Sequence, residues 1–241
     1  MGEFDAAIVH GRDAVQAAES VDHAYSVAVA HWGLAYAYIQ RGEVDSAIRL
    51  LERTLALCRD WTIPILLQIS TGLYGIALAR AGHVAEGIST LRQAKQSVKE
   101  AMGTGNYHTL QVLWLGEAYA RDRQYADAMD AACRALELSR QFNQLQFEGW
   151  ALRLLGELEL QSGPPQIATA EEHLQQALDL GQKLGMRPLA ARCHADLAKL
   201  CRHDGKVAQA DEHFRTATRM YREMGMNYWL QANESELKAL A

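Results

Sequence analysis

The residues of this chain whose types best suit metal binding lie close together near its C-terminal end: Cys193, His194, Cys201 and His203. Thiolate and imidazole groups are the common ligands of zinc. On one continuous helix, however, Cys193 and Cys201 are eight residues apart, which separates their side chains by about 80° around the axis. The two cysteines do not converge as the cysteine pairs of a zinc site do, so no metal site is predicted.

The sequence supports a phosphate-binding or nucleophilic motif no better than it supports a metal site. Residues Gly103–Asn106 read GTGN, but no Lys-Ser or Lys-Thr follows as in a phosphate loop, so a loop between two structural units is expected. The nine histidines are scattered, and none stands with a Ser or Cys and an acid in a recognisable nucleophile arrangement. Glu171 and Glu172 suit the first turn of a helix. The sequence predicts neither an enzyme nor a cofactor, and an unusual helical active site is kept as an alternative.

The composition narrows the class of protein further. With a net charge of −5 the chain has no global attraction to nucleic acid or to anionic membranes. The longest apolar stretch, Ile63–Ile69, is interrupted by polar and Pro residues and is too short to span a bilayer. No secretory signal is recognised, and a cytoplasmic location is expected. Four cysteines are expected to be reduced and buried as small apolar residues: Cys58, Cys133, Cys193 and Cys201.

Only 4 of the 241 residues are Pro, and Ala and Leu dominate, which predicts a nearly all-helical protein. Five blocks each read as helix, short turn and second helix. A small residue of the first helix recurs at steps of 40, 41, 40 and 42, at Ala35, Gly75, Gly116, Gly156 and Ala198. Two further registers keep the period: Ala47, Gly87, Ala128, Ala170 and Ala210, then Thr54, Ala94, Ala135, Ala177 and Ala217. Small side chains allow neighbouring helices to approach closely.

The turns and the larger residues follow the same period. Leu34, Leu51, Leu115 and Phe214 are examples of the large residues expected to fill the space between helices. The turns carry the glycines that can end a helix in a left-handed conformation: Gly42, Gly82, Gly163 and Gly205. The third unit has Arg123 in place of this glycine, and the fourth has two prolines that predict a wider turn.

This pattern resembles the tetratricopeptide repeat, with its large residue and Gly or Ala, an aromatic residue three positions on, a turn Gly, and a spaced Ala pattern. The matching residues of two units are Leu34, Ala35, Tyr38, Gly42, Ala47 and Leu51, and Leu115, Gly116, Tyr119, Tyr125, Ala128 and Ala135. The resemblance implies a right-handed α-solenoid of stacked antiparallel helix pairs. The period exceeds the family's usual length by six residues, which implies longer helices or longer loops.

The expected organisation is one repeat domain over residues 1–241. It comprises a half repeat at 1–20, full repeats at 28–60, 67–101, 109–141, 148–184 and 189–224, and a capping helix at 228–240. The capping helix has an apolar face of Leu230, Leu237 and Leu240 and a polar face that includes Asn233. On this register Gly2 is a turn glycine, and Ile8 and Val15 are expected to lie uncovered. The opening thus suggests a piece of a longer array, and the C-terminal stretch resembles the helical arms of large bacterial cyclase, ATPase or transcriptional regulators.

In the tetratricopeptide family the first helix of each unit lines a groove that binds partners. Carrying the family's groove positions onto this sequence, with basic and aromatic neighbours, predicts these contact residues: Trp32, Tyr36, Ile76, Arg80, Glu117, Arg121, Trp150, Arg153, Glu157, Arg192, Lys199 and Arg202. Residues 187–206 contain five basic and two acidic residues, so a partner segment with an apolar anchor and an acidic end is expected. Packing between units and a solvated charged face are the alternative readings of these positions.

The sequence therefore predicts a non-catalytic interaction or sensor module of a larger bacterial signalling protein. Its partner would be a protein or peptide segment, or another domain of the same chain, with no nucleic acid or membrane. The alternative is a structural scaffold that forms homo-oligomers through the exposed N-terminal half repeat.

Overall fold

The computed structural model describes residues 2–102, 106–161 and 163–238, with the side chains of residues 101, 102 and 106 left aside. Over these residues the chain forms twelve α-helices and no strand, which confirms the predicted all-α fold of stacked helix pairs. The helices are α1 (Phe4–Ser20), α2 (Ala24–Arg41), α3 (Val44–Asp60), α4 (Pro64–Arg80), α5 (Val84–Met102), α6 (Asn106–Arg121), α7 (Tyr125–Gln141), α8 (Leu145–Gln161), α9 (Ile167–Lys183), α10 (Arg187–His203), α11 (Val207–Glu223) and α12 (Asn227–Lys238). In the described part of the chain no helix combines the length and the apolarity that crossing a bilayer requires.

The chain divides into two compact units. The N-terminal unit runs from Glu3 to Asp122 and holds α1–α6, and the C-terminal unit begins at Arg123 and holds α7–α12. Within each unit every helix packs against the next one along the chain. In addition, α4 contacts both α2 and α6, and α8 contacts α10, so the first helices of successive repeats lie side by side. The single repeat domain expected from the sequence stays a prediction.

Helix length explains the long period. Eight of the twelve helices have 17 residues, and most turns have three, so the six extra residues of each unit lie in the helices. The first helices of the repeats begin two to four residues earlier than predicted, at Ala24, Pro64, Asn106, Leu145 and Arg187. Of the predicted loop at residues 103–106, only Asn106 belongs to the described residues, and it begins α6. Leu240, at the predicted end of the last helix, also lies outside them.

Most of the described turns are held by the same backbone geometry. In the α2–α3 turn, Gly42 has φ +97°, and the next residue, Glu43, donates its backbone N–H to the Tyr38 carbonyl at 2.8 Å. This six-residue bond satisfies one of the carbonyls left open at a helix end. The left-handed conformation recurs at the predicted Gly82, Gly163 and Gly205, and Arg123 adopts it without a glycine, with φ +59°. The wide turn expected in the fourth unit is present, since the described residues 163–166 are not helical and precede α9.

The three small-residue registers lie in the core, as the period predicts. Ala35, Ala128 and Ala198 are fully buried. A Cβ added to Gly87 would lie 2.7 Å from the backbone oxygen of Gly75, closer than real Cβ atoms approach, so α4 and α5 pack backbone to backbone there. The predicted large residues, including Leu34, Leu51, Leu91, Leu115, Leu155, Leu174, Leu197 and Phe214, are buried around these contacts.

Three expectations about burial were wrong. Ile8, expected to lie uncovered, is only 2% exposed, because α1 packs against α2. Cys133 is exposed, whereas the other three cysteines are buried as expected, because Cys133 falls on the outer surface of α7. On α12, Asn233 was assigned to the polar face, yet it is buried and donates to the Phe214 carbonyl at 2.9 Å and to Thr218 Oγ1 at 2.7 Å. These bonds fix α12 on α11.

Candidate partner-binding faces

The predicted contact residues fall on two separate surfaces, one in each unit. The predicted residues of the N-terminal unit lie on α2, α4 and α6: Trp32, Tyr36, Ile76, Arg80, Glu117 and Arg121. All of them except Ile76 form what we call the N-terminal face. The C-terminal face is formed by Trp150, Arg153, Glu157, Arg192, Lys199 and Arg202 on α8 and α10. Each set is brought together because the first helices of successive repeats contact one another.

On the N-terminal face, α2 presents a pair of stacked aromatic rings. Trp32 and Tyr36 are four residues apart, on one side of the helix, with ring centroids 5.6 Å apart and planes within 12°. Both side chains are half-buried. The Trp32 Nε1 atom is buried and has no hydrogen-bond partner among the described residues. Since a buried indole N–H usually finds an acceptor, this pair is a candidate anchor for an apolar group that also offers a carbonyl.

A charged triad lies beside the aromatic pair. Arg80 of α4 donates from Nε and Nη2 to the two carboxylate oxygens of Glu117 on α6, at 2.9 and 2.8 Å. Arg121 lies one turn further on α6, and its Nη2 is 3.5 Å from the same carboxylate. Burial raises the pKa of Tyr36, while the nearby Arg80 opposes the change. The triad therefore links the first helices of two repeats, and one carboxylate serves two guanidinium groups.

Ile76 does not belong to this surface, contrary to the prediction. Its side chain is 0% exposed, because α4 lies between α2 and α6 and is covered from both sides. Leu113, at a neighbouring groove position, is buried for the same reason. Gly72 is covered by Gln111, whose Oε1 lies 1.9 Å from the position that a Cβ at Gly72 would take. The middle of the N-terminal face is thus core rather than groove.

The C-terminal face is built around a buried ion pair. Arg153 of α8 is 2% exposed and donates from Nη1 to Asp196 of α10, and from Nη2 to Glu157 at 2.6 Å. Lys199 Nζ lies 3.4 Å from the second Asp196 oxygen. Burial by itself would raise the pKa of Asp196, but Arg153, Lys199 and Arg192 together lower it. Arg153 is therefore a structural cation, and the prediction that it forms part of an open basic surface is corrected.

Arg192 lies on α10, as Asp196 does, but its guanidinium contacts an aromatic ring. It is 9% exposed, and its guanidinium stacks 3.8 Å above the centroid of the Trp229 ring on α12. A cation over an indole face is a favourable contact. Burial lowers the pKa of Arg192, and the like charge of Arg153 lowers it further.

The remaining predicted residues occupy the edges of the C-terminal face. Trp150 is half-buried, with the Arg153 guanidinium carbon 5.9 Å from its ring centroid. Arg202 donates to Glu236 of α12 at 2.6 Å. Together with the Arg192–Trp229 stack, this bond places α12 along α10. The positive charge that the sequence predicts for residues 187–206 is therefore largely neutralised by carboxylates.

Sequence reasoning missed three residues that determine this face. Asp196, Trp229 and Glu236 partner Arg153, Arg192 and Arg202, from positions 43, 37 and 34 residues away. A repeat pattern compares equivalent positions and does not reveal contacts between different positions of successive units. One of them left a compositional signal, since the acidic Asp196 stands between Ala195 and Leu197 on a largely apolar side of α10.

Two other clusters of titratable groups were considered. An open cleft of about 430 Å³ in the N-terminal unit is lined by Asp45, Ile48, Arg49, Glu52, Tyr74, Leu78, His83 and Glu86. Burial raises the pKa of Tyr74, and Glu52 and Glu86 raise it further, so its hydroxyl stays protonated and is no base. In the C-terminal unit, His194 and His213 lie with their Nδ1 atoms 2.9 Å apart. Among the described residues no three His, Cys, Asp or Glu side chains are arranged to hold a metal ion.

Comparison with known proteins agrees with this architecture. Residues 149–223, which span most of α8 and all of α9–α11, match the model of the tetratricopeptide repeat family. No curated protein matches the chain. BtubC from P. vanneervenii superposes with a TM-score of 0.65 at 16% identity, over 92% of each chain. The apo form of RapI gives 0.73 at 13% identity, over 93% of this chain and 79% of that one.

A third similar structure is a Signal Transduction ATPase with Numerous Domains with a tetratricopeptide repeat sensor, from Pyrococcus horikoshii. It gives a TM-score of 0.61 at 20% identity, over 85% of this chain but only 31% of that protein. Likenesses at these identities show the fold alone. The repeating 17-residue helices and the buried small-residue registers make the chain a helical-repeat protein, and its residues 149–223 match the tetratricopeptide repeat family.

Proposed function

We propose that this chain is a non-catalytic interaction module that binds a peptide or protein segment on the first helices of its repeats. The observation that carries the proposal is the stacked Trp32–Tyr36 pair, half-buried and with the indole N–H unpartnered among the described residues. Two rigid aromatic rings beside a charged triad are the kind of anchor site from which interfaces draw most of their binding energy. A segment with an apolar side chain next to a carbonyl group would fill it.

The proposal is tested with a matched pair of tryptophan variants. Peptides selected from a random display library on the full chain are measured by fluorescence anisotropy. Trp32→Ala is expected to weaken binding by about 10-fold or more, since truncating a central aromatic anchor costs about 2 kcal/mol. Trp61→Ala is the control, because Trp61 is 62% exposed and lies in the α3–α4 turn, off the N-terminal face. Equal binding by wild type and Trp32→Ala would remove the proposal, as would a library that yields no binder.

A sensor role is the finer form of this proposal. Its support is the similarity to a repeat region described as a sensor in a multidomain signalling ATPase. A sensor must change when its ligand binds, so peptide binding is expected to slow hydrogen exchange in helices beyond the contact site. Protection limited to α2 would speak for a passive binding surface instead.

The alternative of a self-associating scaffold has one observation in its favour. Exposed apolar side chains recur at the turns of the N-terminal unit, where Val21 and Tyr25 are followed 40 residues later by Trp61 and Ile65. A row of this kind is unusual on a monomer surface. Light scattering decides the question, since a scaffold would show a multiple of the 26.8 kDa chain mass that Trp61→Ala reduces.

A further inference from the structure

Two histidines from neighbouring helices face each other in the C-terminal unit. The Nδ1 atoms of His194 on α10 and His213 on α11 are 2.9 Å apart, with ring centroids 5.2 Å apart and planes inclined by 37°. Both rings are half-buried, and neither makes another hydrogen bond or ion pair with a described residue. Each histidine is next to a fully buried residue, Cys193 and Phe214 respectively, so the core fixes the backbone at both positions. Of the four residues whose types suit metal binding in the sequence, only His194 belongs to this pair.

The preceding repeat shows a more usual arrangement. His173 precedes His213 by 40 residues in the repeat register, and its Nδ1 atom lies 3.0 Å from both carboxylate oxygens of Glu159. There an imidazole has a carboxylate partner, whereas between α10 and α11 the partner is a second imidazole. Of two neutral imidazoles, one Nδ1 atom must donate the hydrogen bond and the other must accept it. The pair therefore has no anion to bind, and its two nitrogens share one proton.

Both imidazoles are neutral near pH 7. Burial, then His213 and Arg219, lowers the pKa of His194 to about 4. Burial also lowers the pKa of His213, although Glu212 opposes the change. Neutral imidazole is the form that binds metal ions, and histidine is the commonest metal ligand among the side chains. Two neutral rings held with their Nδ1 atoms this close are therefore in the protonation state that a metal ion requires.

The separation of the two nitrogens favours a particular class of metal. With the nitrogens 2.9 Å apart, an ion about 2.0–2.1 Å from each, which is an ordinary metal–imidazole distance, forms an N–metal–N angle of about 90°. A tetrahedral angle at the same bond length needs nitrogens about 3.3 Å apart. A right angle is the angle between neighbouring ligands in the square-planar and tetragonal sites that Cu²⁺ and Ni²⁺ prefer. Of the divalent first-row ions, Cu²⁺ binds such nitrogen ligands most tightly.

We propose that His194 and His213 form a two-histidine binding site for Cu²⁺, with the Nδ1 atom of each ring as a ligand. When the ion binds, both rings take the Nε2–H tautomer, so the shared proton moves to an Nε2 atom and no net proton is released. Water takes the other coordination positions. The bound ion joins α10 to α11 and stabilises the folded unit. The site lies in the C-terminal unit and the Trp32–Tyr36 pair in the N-terminal unit, so the inference does not depend on the proposed function.

The test uses Cu²⁺ alone, with the full chain carrying Cys133→Ser to remove the exposed thiol. At neutral pH and equimolar Cu²⁺, electron spin echo envelope modulation is expected to show two coordinated imidazoles, and the Tm from circular dichroism should rise. His194→Gln and His213→Gln should each weaken Cu²⁺ binding at least about 10-fold, because losing a ligand costs no less than losing an outer-shell partner. His203→Gln is the control, since His203 is exposed at the end of α10, and it should leave Cu²⁺ binding unchanged.

Three outcomes would overturn the inference. One is a spectrum with a single coordinated imidazole, or none, in the chain that keeps both histidines. Another is an equal loss of binding in His203→Gln and His194→Gln, which would assign the metal to exposed histidines in general. The third is tighter binding of Zn²⁺ than of Cu²⁺, which would contradict the right-angle geometry. Absence of peptide binding would remove the proposed function and leave this site, whereas absence of Cu²⁺ binding would do the reverse.

Discussion

Neutralising Asp196 should destabilise the C-terminal unit strongly. Asp196 is 3% exposed, and its carboxylate accepts bonds from the buried Arg153 and from Lys199. Asp196→Asn keeps the shape but removes the more deeply buried of the two carboxylates that bind Arg153 among the described residues. Removing one partner of a buried ion pair costs about 3–5 kcal/mol. For a unit of about 120 residues, an unfolding entropy of about 2.1 cal/mol/K per residue converts this cost to a loss of roughly 12–20 °C in Tm.

The assay is thermal unfolding followed by circular dichroism, supported by urea titration of tryptophan fluorescence. Glu137→Gln is the matched control, because the Arg134–Glu137 pair is more than half exposed on both sides and should contribute less than about 0.5 kcal/mol. The double variant Arg153→Met with Asp196→Leu should recover most of the lost stability, since apolar residues can replace a buried pair. A cost below about 1 kcal/mol for Asp196→Asn, or a double variant no more stable than the single one, would refute the reasoning.

Further predictions concern pH and backbone geometry. Burial, then His213 and Arg219, lowers the pKa of His194 to about 4, so its stabilising contribution is complete above about pH 6.5 and is lost as the pH falls towards 4. The loss, after solvent screening, should be about 1–2 kcal/mol and should shrink in the double His194→Gln, His213→Gln variant, as Tm measured from pH 7 to 4 would show. Gly33→Ala, with open space at the new Cβ, should stabilise by about 0.5–1 kcal/mol, whereas Gly87→Ala should destabilise by about 1–3 kcal/mol because its Cβ meets the α4 backbone. Thr62 has φ +53°, so Thr62→Gly should raise the free energy of unfolding by about 0.5–1 kcal/mol. The urea midpoint should rise accordingly, and an unchanged midpoint would contradict strain at this turn.

The repeat architecture could be predicted from sequence because one physical requirement recurs in every unit. Ala35 and Ala198 stand at positions where helix backbones meet, and only small residues fit there, so the pattern is visible without a structure. Turn glycines such as Gly42 can be recognised in the sequence equally well. The left-handed residue at Arg123 could be located only from the repeat register, because the Arg side chain gives no sign of the positive φ that the turn requires.

The binding faces were less predictable. Positions carried over from a family pattern identify which side of a helix faces a neighbouring helix. The burial of a side chain there depends on how many helices flank its own helix. Ile76 lies on a helix flanked on both sides and is core, whereas Tyr36 keeps a half-exposed ring. Whether an arginine is free depends on a partner elsewhere in the chain. Arg153 and Arg192 look alike in sequence, and only the structure shows that one has carboxylate partners and the other an indole face.

The restriction of packing to neighbouring helices has a kinetic consequence. Within each unit the main contacts of a helix are with the next one or two helices along the chain, so most native contacts join residues that lie within about two helices of each other in sequence. Chains with such local contacts fold fast, and their structure can begin to form at any helix pair and spread to its neighbours. The buried ion pair between α8 and α10 is one of the longer-range contacts, since it joins residues 43 apart. Because α9 lies between these two helices in the chain, we expect the ion pair to form after the local helix pairs, so that it would report late steps in folding of the C-terminal unit.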